Sequence, residues 1–324
     1  MNTKRLTSSQ QHIIYAAELL LEGHIVAFPT ETVYGLGAVV FNAHAVQSIF
    51  AAKGRPSDNP LIVHCVSRED VERVAVNIPH LFDRLFQQFC PGPLTMLLEK
   101  HPAVPDVVTG GLPTVAVRFP AHPVAEALIR TVGVPLVAPS ANRSGYPSPT
   151  CANHVVDDLQ GRISAVIDGG ECPIGIESTV LNILSEPPVI LRPGSVTKHD
   201  VEKICGEVAY VHDYVAQTGS QPLAPGMKYR HYAPQARIVL VNTLQEAHQA
   251  ARNLGERVGD SAWILASSVK KAGYGLFPLC EQTLYATFRK ADTEGVGTLI
   301  IVCDAQTRRS AGLMNRIEKA ARSQ

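Results

Sequence analysis

Apolar residues recur at helical spacing over residues 8–22, where Ile13, Ile14, Ala17, Leu20 and Leu21 form one stripe and Ser8 or Ser9 can cap the start. Gly23 ends that helix, and Ile25 to Phe28 reads as a strand. Val46, Ile49 and Phe50 mark a second helix with Asn42 as its cap; Gly54 and Pro56 stop it. Leu61 to Val66 is a short apolar run of buried-strand type, and residues 80–89 are amphipathic. Pro91-Gly92-Pro93 breaks that helix ahead of a strand from Leu94 to Leu98. In Thr114 to Phe119 the pattern alternates: Val115, Val117 and Phe119 point one way, Thr114, Ala116 and Arg118 the other. Val134 to Ala138 and Ser164 to Ile167 are further strands. Val180 to Leu184 and Pro188 to Leu191 make a hairpin through Ser185-Glu186-Pro187. Many strands with helices between only some of them predict a mixed sheet.

From about 212 to 236 periodicity stops. Gly219, Pro222, Pro225, Gly226 and Pro234 punctuate a stretch of linker type. Beyond it, strand and helix alternate: Arg237 to Val241, a helix from Leu244, Trp263 to Ala266, a helix near 281–290, Leu299 to Val302, and a helix from 306. That predicts a small α/β domain on a parallel sheet. The expected division is 1–211, a linker over 212–236, and 237–324.

Composition narrows the class. With 324 residues the chain is long enough for two domains, and 45% apolar content makes it globular. A formal net charge of zero argues against non-specific nucleic-acid binding as the main task. Seven cysteines without a CxxC pair fit reduced thiols in a cytoplasmic protein. Met1 to Arg5 leads into a polar run without the apolar core of a signal peptide, and no apolar run approaches membrane length, so no membrane is expected.

The candidate chemistry centres on Lys53-Gly54-Arg55-Pro56-Ser57-Asp58-Asn59-Pro60. Lys53 falls four after Ile49 and three after Phe50, at the end of the apolar face. It either snorkels at a helix C-terminus, where a cation suits the dipole, or joins Arg55 and Asn59 in an anion site. The chain has neither GxxxxGK[ST] nor GxGxxG, so a phosphate here would be held by side-chain cations. Pro29 to Gly37, with Thr30, Thr32 and two glycines, is either a polar turn or a ligand loop at a strand end. His64 stands among apolar neighbours, as a satisfied core histidine or a ligand group. Arg118 on an interior strand needs an anion, from a structural salt bridge or from a ligand. Pro139 to Gly145, with Ser140 and Asn142, offers hydrogen-bond partners for a nucleotide, or forms only a turn. Arg192-Pro193-Gly194 places another cation on a tight turn, and Lys228 to Pro234 carries more aromatic and cationic chemistry than a tether needs.

Taken together, KGRPSDNPL (53–61), TVAVRFP (114–120), PSANRSG (139–145), ESTV (177–180), LRPG (191–194) and the early PTETVYGLG resemble the YrdC/Sua5 family over roughly residues 9–200. The linker motif PGMKYRHYAP and the appended α/β domain match its longer, two-domain type. The resemblance implies a twisted mixed-sheet domain with an open cationic cleft and a small Rossmann-like α/β C-terminal domain. It implies L-threonylcarbamoyladenylate synthesis: L-threonine, bicarbonate and ATP give threonylcarbamoyl-AMP and pyrophosphate. A separate transferase complex then delivers the group to adenosine 37 of tRNAs that read codons beginning with A. By motif, Arg55, Asn59, Thr114, Ser140, Ser148, Arg192 and His231 match nucleotide-contacting positions; Thr32, His64, Arg118, Ala138 and Ser178 match threonine-contacting ones. Lys53, Arg55, Ser140 and Asn142 match the family's characteristic quartet. Mg2+ is expected to arrive with ATP, because no carboxylate cage is apparent, and direct tRNA contact stays open. Two rivals are a non-catalytic RNA-binding factor of tRNA or ribosome maturation and the YrdC-like part of hydrogenase maturation proteins. The second would need acylphosphatase and zinc-finger segments that the chain lacks.

Overall fold

The computed structural model describes residues 2–213 and 232–322. Contacts divide the chain into two compact units: the first is Met1–Ser144, Pro149–Pro173 and Glu177–Lys228; the second is Gly145–Ser148, Ile174–Ile176 and Tyr229–Gln324.

In the first unit the order is β1 (Lys4–Thr7), α1 (Gln10–Leu21), β2 (Val26–Phe28), β3 (Gly35–Val39), α2 (Ala43–Lys53) and β4 (Ile62–His64). There follow α3 (Arg68–Glu72), β5 (Ala75–Val76), α4 (His80–Phe89), β6 (Leu94–Lys100), α5 (Asp106–Thr109), β7 (Thr114–Arg118), α6 (Pro123–Val132) and β8 (Leu136–Val137). The unit closes with α7 (Ala152–Leu159), β9 (Ala165–Asp168), β10 (Thr179–Asn182), β11 (Val189–Arg192), α8 (Lys198–Cys205) and β12 (Ala209–Tyr210). Twelve strands make one sheet in the order β1-β9-β2-β3-β8-β4-β7-β6-β10-β11-β12, with β5 on β6. Parallel pairs (β4–β7, β6–β10) alternate with antiparallel ones (β8–β4, β7–β6, β10–β11), so the sheet is mixed as expected.

Local chemistry explains the elements that carry the site. Ser9 caps α1 by accepting from the His12 amide, and Asn42 caps α2 by accepting from Ala45. The buried face of α1 is Ile13, Ala16, Ala17, Leu19 and Leu20; Ile14 and Leu21, expected inside, are exposed. Twelve residues cannot bury both flanks of a stripe when only one side packs against the sheet and α6. On α2, Val46, Ile49 and Phe50 are buried, and Lys53 lies with them at 3% exposure. Gly54 ends the helix in the left-handed conformation, φ 61°. On β7, Val115 and Val117, with Phe119 just beyond, join the main core while Ala116 packs on the opposite face with Ile62 and Val180.

Several strands were not foreseen. β1 pairs in parallel with β9, β3 begins inside the stretch read as a loop, and β5 and β12 are two-residue edges. The expected strand over 134–138 shortens to Leu136–Val137, flanked by prolines that cannot donate to the ladder.

The second unit holds β13 (Arg237–Val241), α9 (Leu244–Asn253), β14 (Ala262–Ala266), β15 (Leu276–Pro278), α10 (Glu281–Thr293), β16 (Thr298–Val302), α11 (Ala305–Arg309) and α12 (Ala311–Ala321). Its four strands run parallel in the order β13-β16-β14-β15. Tyr232 stacks on Tyr285 at 5.5 Å, and the Ala233 amide donates to the Gly145 carbonyl, which ties the end of the linker motif to this unit. Among the described residues no helix is long and apolar enough to cross a membrane, and all seven cysteines are free.

Candidate functional site

Strand register brings the first group of side chains together. β7 lies between β4 and β6, with His64 opposite Arg118 and Thr95 opposite Arg118 on the other side. One strand further, Ser178 stands just ahead of β10, and its hydroxyl lies 2.7 Å from that of Thr95. On the far flank, β8 pairs with β4, and the Ala138 amide donates to Ile62. His64, Arg118, Ser178 and Ala138, with Thr95, thus gather in or beside five successive strands, β8-β4-β7-β6-β10; all five residues are buried.

The loop between β2 and β3 adds Thr30, Glu31 and Thr32, also buried. The Thr30 hydroxyl donates to the Val33 carbonyl and accepts from the Thr32 amide, a local turn that fixes the loop. Glu31 Oε1 lies 2.7 Å from Arg118 Nη2, so the anion that an interior arginine requires is supplied by the chain itself. The pair is poorly aligned: neither Glu31 oxygen, nor Nε and Nη2 of Arg118, makes a hydrogen bond.

His64 is the neutral member of the group. Burial, with Arg118 beside it as the next cause, lowers its pKa to about 3. Its Nδ1 lies 3.3 Å from the Ile62 carbonyl, which can only accept. Nδ1 therefore carries the proton, and Nε2 is left as an acceptor. Burial also pushes the thiols of Cys90 and Cys172 up to about 12, so neither is a thiolate near neutral pH.

A second group forms where α2 ends. Lys53 Nζ donates to the carbonyls of Ser140 at 2.5 Å and Asn142 at 2.6 Å, and approaches Asn142 Oδ1 at 3.4 Å. Three acceptors meet the three donors of the ammonium. The Ser140 hydroxyl donates to Asn142 Oδ1 at 2.6 Å, and the Ser144 amide donates to the Lys53 carbonyl. The lysine is thus a clamp on the loop 139–145, more than a charge turned outward. Arg55 curls over its own loop and donates through Nη2 to the carbonyls of Asn59 and Pro60.

Arg192 links the strand row to the hairpin. Its Nε donates to the Ser178 carbonyl at 3.1 Å and its Nη2 to the Ser178 hydroxyl at 3.2 Å. Gly194 permits that closeness: a Cβ there would stand 2.5 Å from the Thr179 amide nitrogen.

Of the residues singled out from sequence, Lys53, Ser140 and Asn142 are joined, Arg55 and Asn59 share a loop, and His64, Arg118, Ala138, Ser178 and Arg192 are linked through the strands. Thr32 follows the glutamate that pairs with Arg118, and Thr114 opens β7, half-buried. Ser148 is fully buried and belongs to the second unit. His231, and most of the linker motif with it, lies outside the described residues. Sequence reasoning did not single out Glu31 and Thr95. Thr95 had a signal, as the polar position opposite the side of Leu94, Met96 and Leu98; Glu31 had none apart from its place in a hydroxyl-rich loop. Among the described residues no three His, Cys, Asp or Glu side chains gather as a metal site.

Two family models and several known proteins match this chain. The Sua5/YciO/YrdC family model, described as "Telomere recombination", matches residues 18–194, and the model "Threonylcarbamoyl-AMP synthase, C-terminal domain" matches 196–322. Threonylcarbamoyl-AMP synthase of Pyrococcus abyssi is 43% identical, over 94% of this chain and 93% of its own. The Bacillus subtilis protein of the same name is 42% identical, over 98% and 95%. The crystal structure of P. abyssi Sua5 complexed with L-threonine superposes with a TM-score of 0.89 at 40% identity, covering 100% of this chain and 98% of that one. By family models that follow one another along the sequence and by relatives similar over nearly their whole length, the chain belongs to the Sua5/YciO/YrdC family, in its two-domain Sua5 type.

Proposed function

We propose that this protein is an L-threonylcarbamoyladenylate synthase, joining L-threonine, bicarbonate and ATP into threonylcarbamoyl-AMP with release of pyrophosphate. The observation that carries the reading is the buried row His64–Arg118–Ser178, in a chain that matches threonylcarbamoyl-AMP synthases over nearly its whole length. A planar guanidinium suits the amino-acid carboxylate. The free Nε2 of a neutral His64 suits the threonine hydroxyl, which can donate to it. Ser178 and Thr32 supply further hydroxyls, and the methyl group of threonine finds Ala138 among the apolar residues around the row.

In this reading the nucleotide lies along the second group, in a cleft open to solvent and lined by cations. Arg55 and Arg192 neutralise phosphate charge, Lys53 holds the loop that carries Ser140 and Asn142, and Asn59 and Thr114 add contacts from the same unit. Mg2+ enters as part of the nucleotide substrate. The threonine amine attacks carbon dioxide derived from bicarbonate to give an N-carboxylate. One oxygen of that group then attacks the α-phosphorus of ATP, and pyrophosphate leaves. No residue forms a covalent intermediate; the chain contributes orientation and fixed positive charge. Residues 1–211 carry the chemistry, 212–236 form a linker, and 237–324 a Rossmann-like accessory domain. The product would pass, in the cytoplasm, to the transferase that modifies adenosine 37 of tRNA. A non-catalytic RNA-binding role is less well supported, since a buried row built for a small zwitterion serves no strand of nucleic acid.

The test is pyrophosphate release by purified protein with ATP, Mg2+ and bicarbonate. Release should depend on L-threonine, and L-serine should be poorer by about 1–3 kcal/mol at most, the worth of one methyl group. Equal release with no amino acid present would refute the proposal.

A further inference from the structure

Glu31 has no role in the reading above, yet it is buried against Arg118, a residue of the candidate amino-acid site. It is 95% buried, with 5% exposure, and Arg118 is its only ion-pair partner among the described residues. The two touch at 2.7 Å, but both Glu31 oxygens and two of the three guanidinium nitrogens lack a hydrogen bond. Burying a carboxylate and a guanidinium in this half-made state is costly. Among the described residues, His122, Cys90 and Cys172 also feel the Glu31 charge. Burial disfavours the charged form of each, so none of them offsets the carboxylate near neutral pH.

An α-amino acid carries the complement of this pair: a carboxylate for the fork, and an ammonium for the glutamate. We propose that Glu31 binds the α-ammonium of the amino-acid substrate, and that its pair with Arg118 is a stand-in which the substrate zwitterion replaces. The inference rests on the synthase reading and adds to it a binding residue and a rule of selection. Inserting a zwitterion between the two side chains leaves the buried net charge unchanged and completes hydrogen bonds on both. A ligand with only a carboxylate would compete with Glu31 for Arg118 and leave the glutamate unpaired. Glu31 therefore excludes hydroxy acids by repulsion as well as retaining amino acids by attraction.

The experiment is equilibrium binding to the full chain of L-threonine and of 3-hydroxybutyrate, which keeps the carboxylate and the hydroxyl but lacks the amine. Wild-type protein should bind 3-hydroxybutyrate roughly ten- to a hundredfold more weakly, the worth of one charged hydrogen bond. In Glu31→Gln that preference should disappear, and 3-hydroxybutyrate should bind more tightly than it does to wild type, because the fork is released. A residue that merely held Arg118 in place would not produce that gain. Equal weakening of both ligands, or unchanged threonine binding in Glu31→Gln, would overturn the inference while leaving the synthase reading intact. Should Glu31→Gln not fold, the wild-type comparison decides alone, with equal affinity for the two ligands as the refuting result. Wild-type protein that binds neither ligand would remove the synthase reading as well.

Discussion

Replacing Lys53 by Met removes one charge and little volume. At 3% exposure, the ammonium donates at 2.5 and 2.6 Å to the carbonyls of Ser140 and Asn142, both on the loop between β8 and α7. Met fills the space without strain, so packing loss is minor. The two carbonyls lose a charged donor, at about 1–3 kcal/mol each, or roughly 2–6 kcal/mol in all. The loss should appear as a lower urea midpoint at unchanged slope. The single tryptophan, Trp263, lies in the second unit, so its fluorescence would miss the event; far-UV circular dichroism, which sums over both units, includes the first. Hydrogen exchange over residues 139–145 should accelerate more than over β6 and β7, because the clamp acts locally. ATP binding should weaken with it, since Ser140 and Asn142 lose their fixed placement. A midpoint shift worth under about 1 kcal/mol, with wild-type exchange in that loop, would refute the clamp.

Arg118→Met leaves Glu31 charged in the interior and should cost about 3–5 kcal/mol, most of it recovered in the Glu31→Gln/Arg118→Met double variant; additive losses in urea titrations would contradict a coupled pair. Arg55→Lys keeps charge but loses the fork that reaches the carbonyls of Asn59 and Pro60. Its turnover should fall roughly ten- to a hundredfold with stability nearly unchanged, and wild-type kinetics would place Arg55 outside the site. His64 sets a pH dependence. Its folded pKa, about 3, lies below the ordinary 6.5, so between those values the unfolded chain binds the extra proton. Its contribution is fully present above about pH 6.5 and is lost as pH falls toward 3. The stability difference between wild type and His64→Gln should therefore shrink over that window, and parallel profiles would show that His64 protonates freely in the folded state.

What sequence could and could not disclose follows from the range of each interaction. The burial of Lys53 was legible because it is local: spacing from Ile49 and Phe50 fixes the face of α2. The alternation in Thr114 to Phe119 placed Arg118 correctly and showed that it required an anion. It could not say which anion, because Glu31 comes from a loop distant in sequence, and a carboxylate among threonines and glycines looks like ordinary turn chemistry. The same loop hid β3, whose Gly-Leu-Gly start lacks β-propensity and is held by its neighbours β2 and β8. β1 stayed invisible for a similar reason: of Lys4-Arg5-Leu6-Thr7 only Leu6 is buried, and the pairing partner is β9, far along the chain. In the second unit the alternation of strand and helix was readable because each strand is an apolar run between amphipathic helices. β15 escaped it, being three residues long and ending in proline.

The most direct test of the account is the identity of the nucleotide product. Purified protein is incubated with ATP, Mg2+, isotopically labelled bicarbonate and isotopically labelled L-threonine, and the mixture is resolved by mass spectrometry. The account predicts one adenylate carrying both the bicarbonate carbon and the threonine nitrogen, formed in step with pyrophosphate. An adenylate that lacks the bicarbonate carbon, or pyrophosphate that appears without threonine, would contradict it.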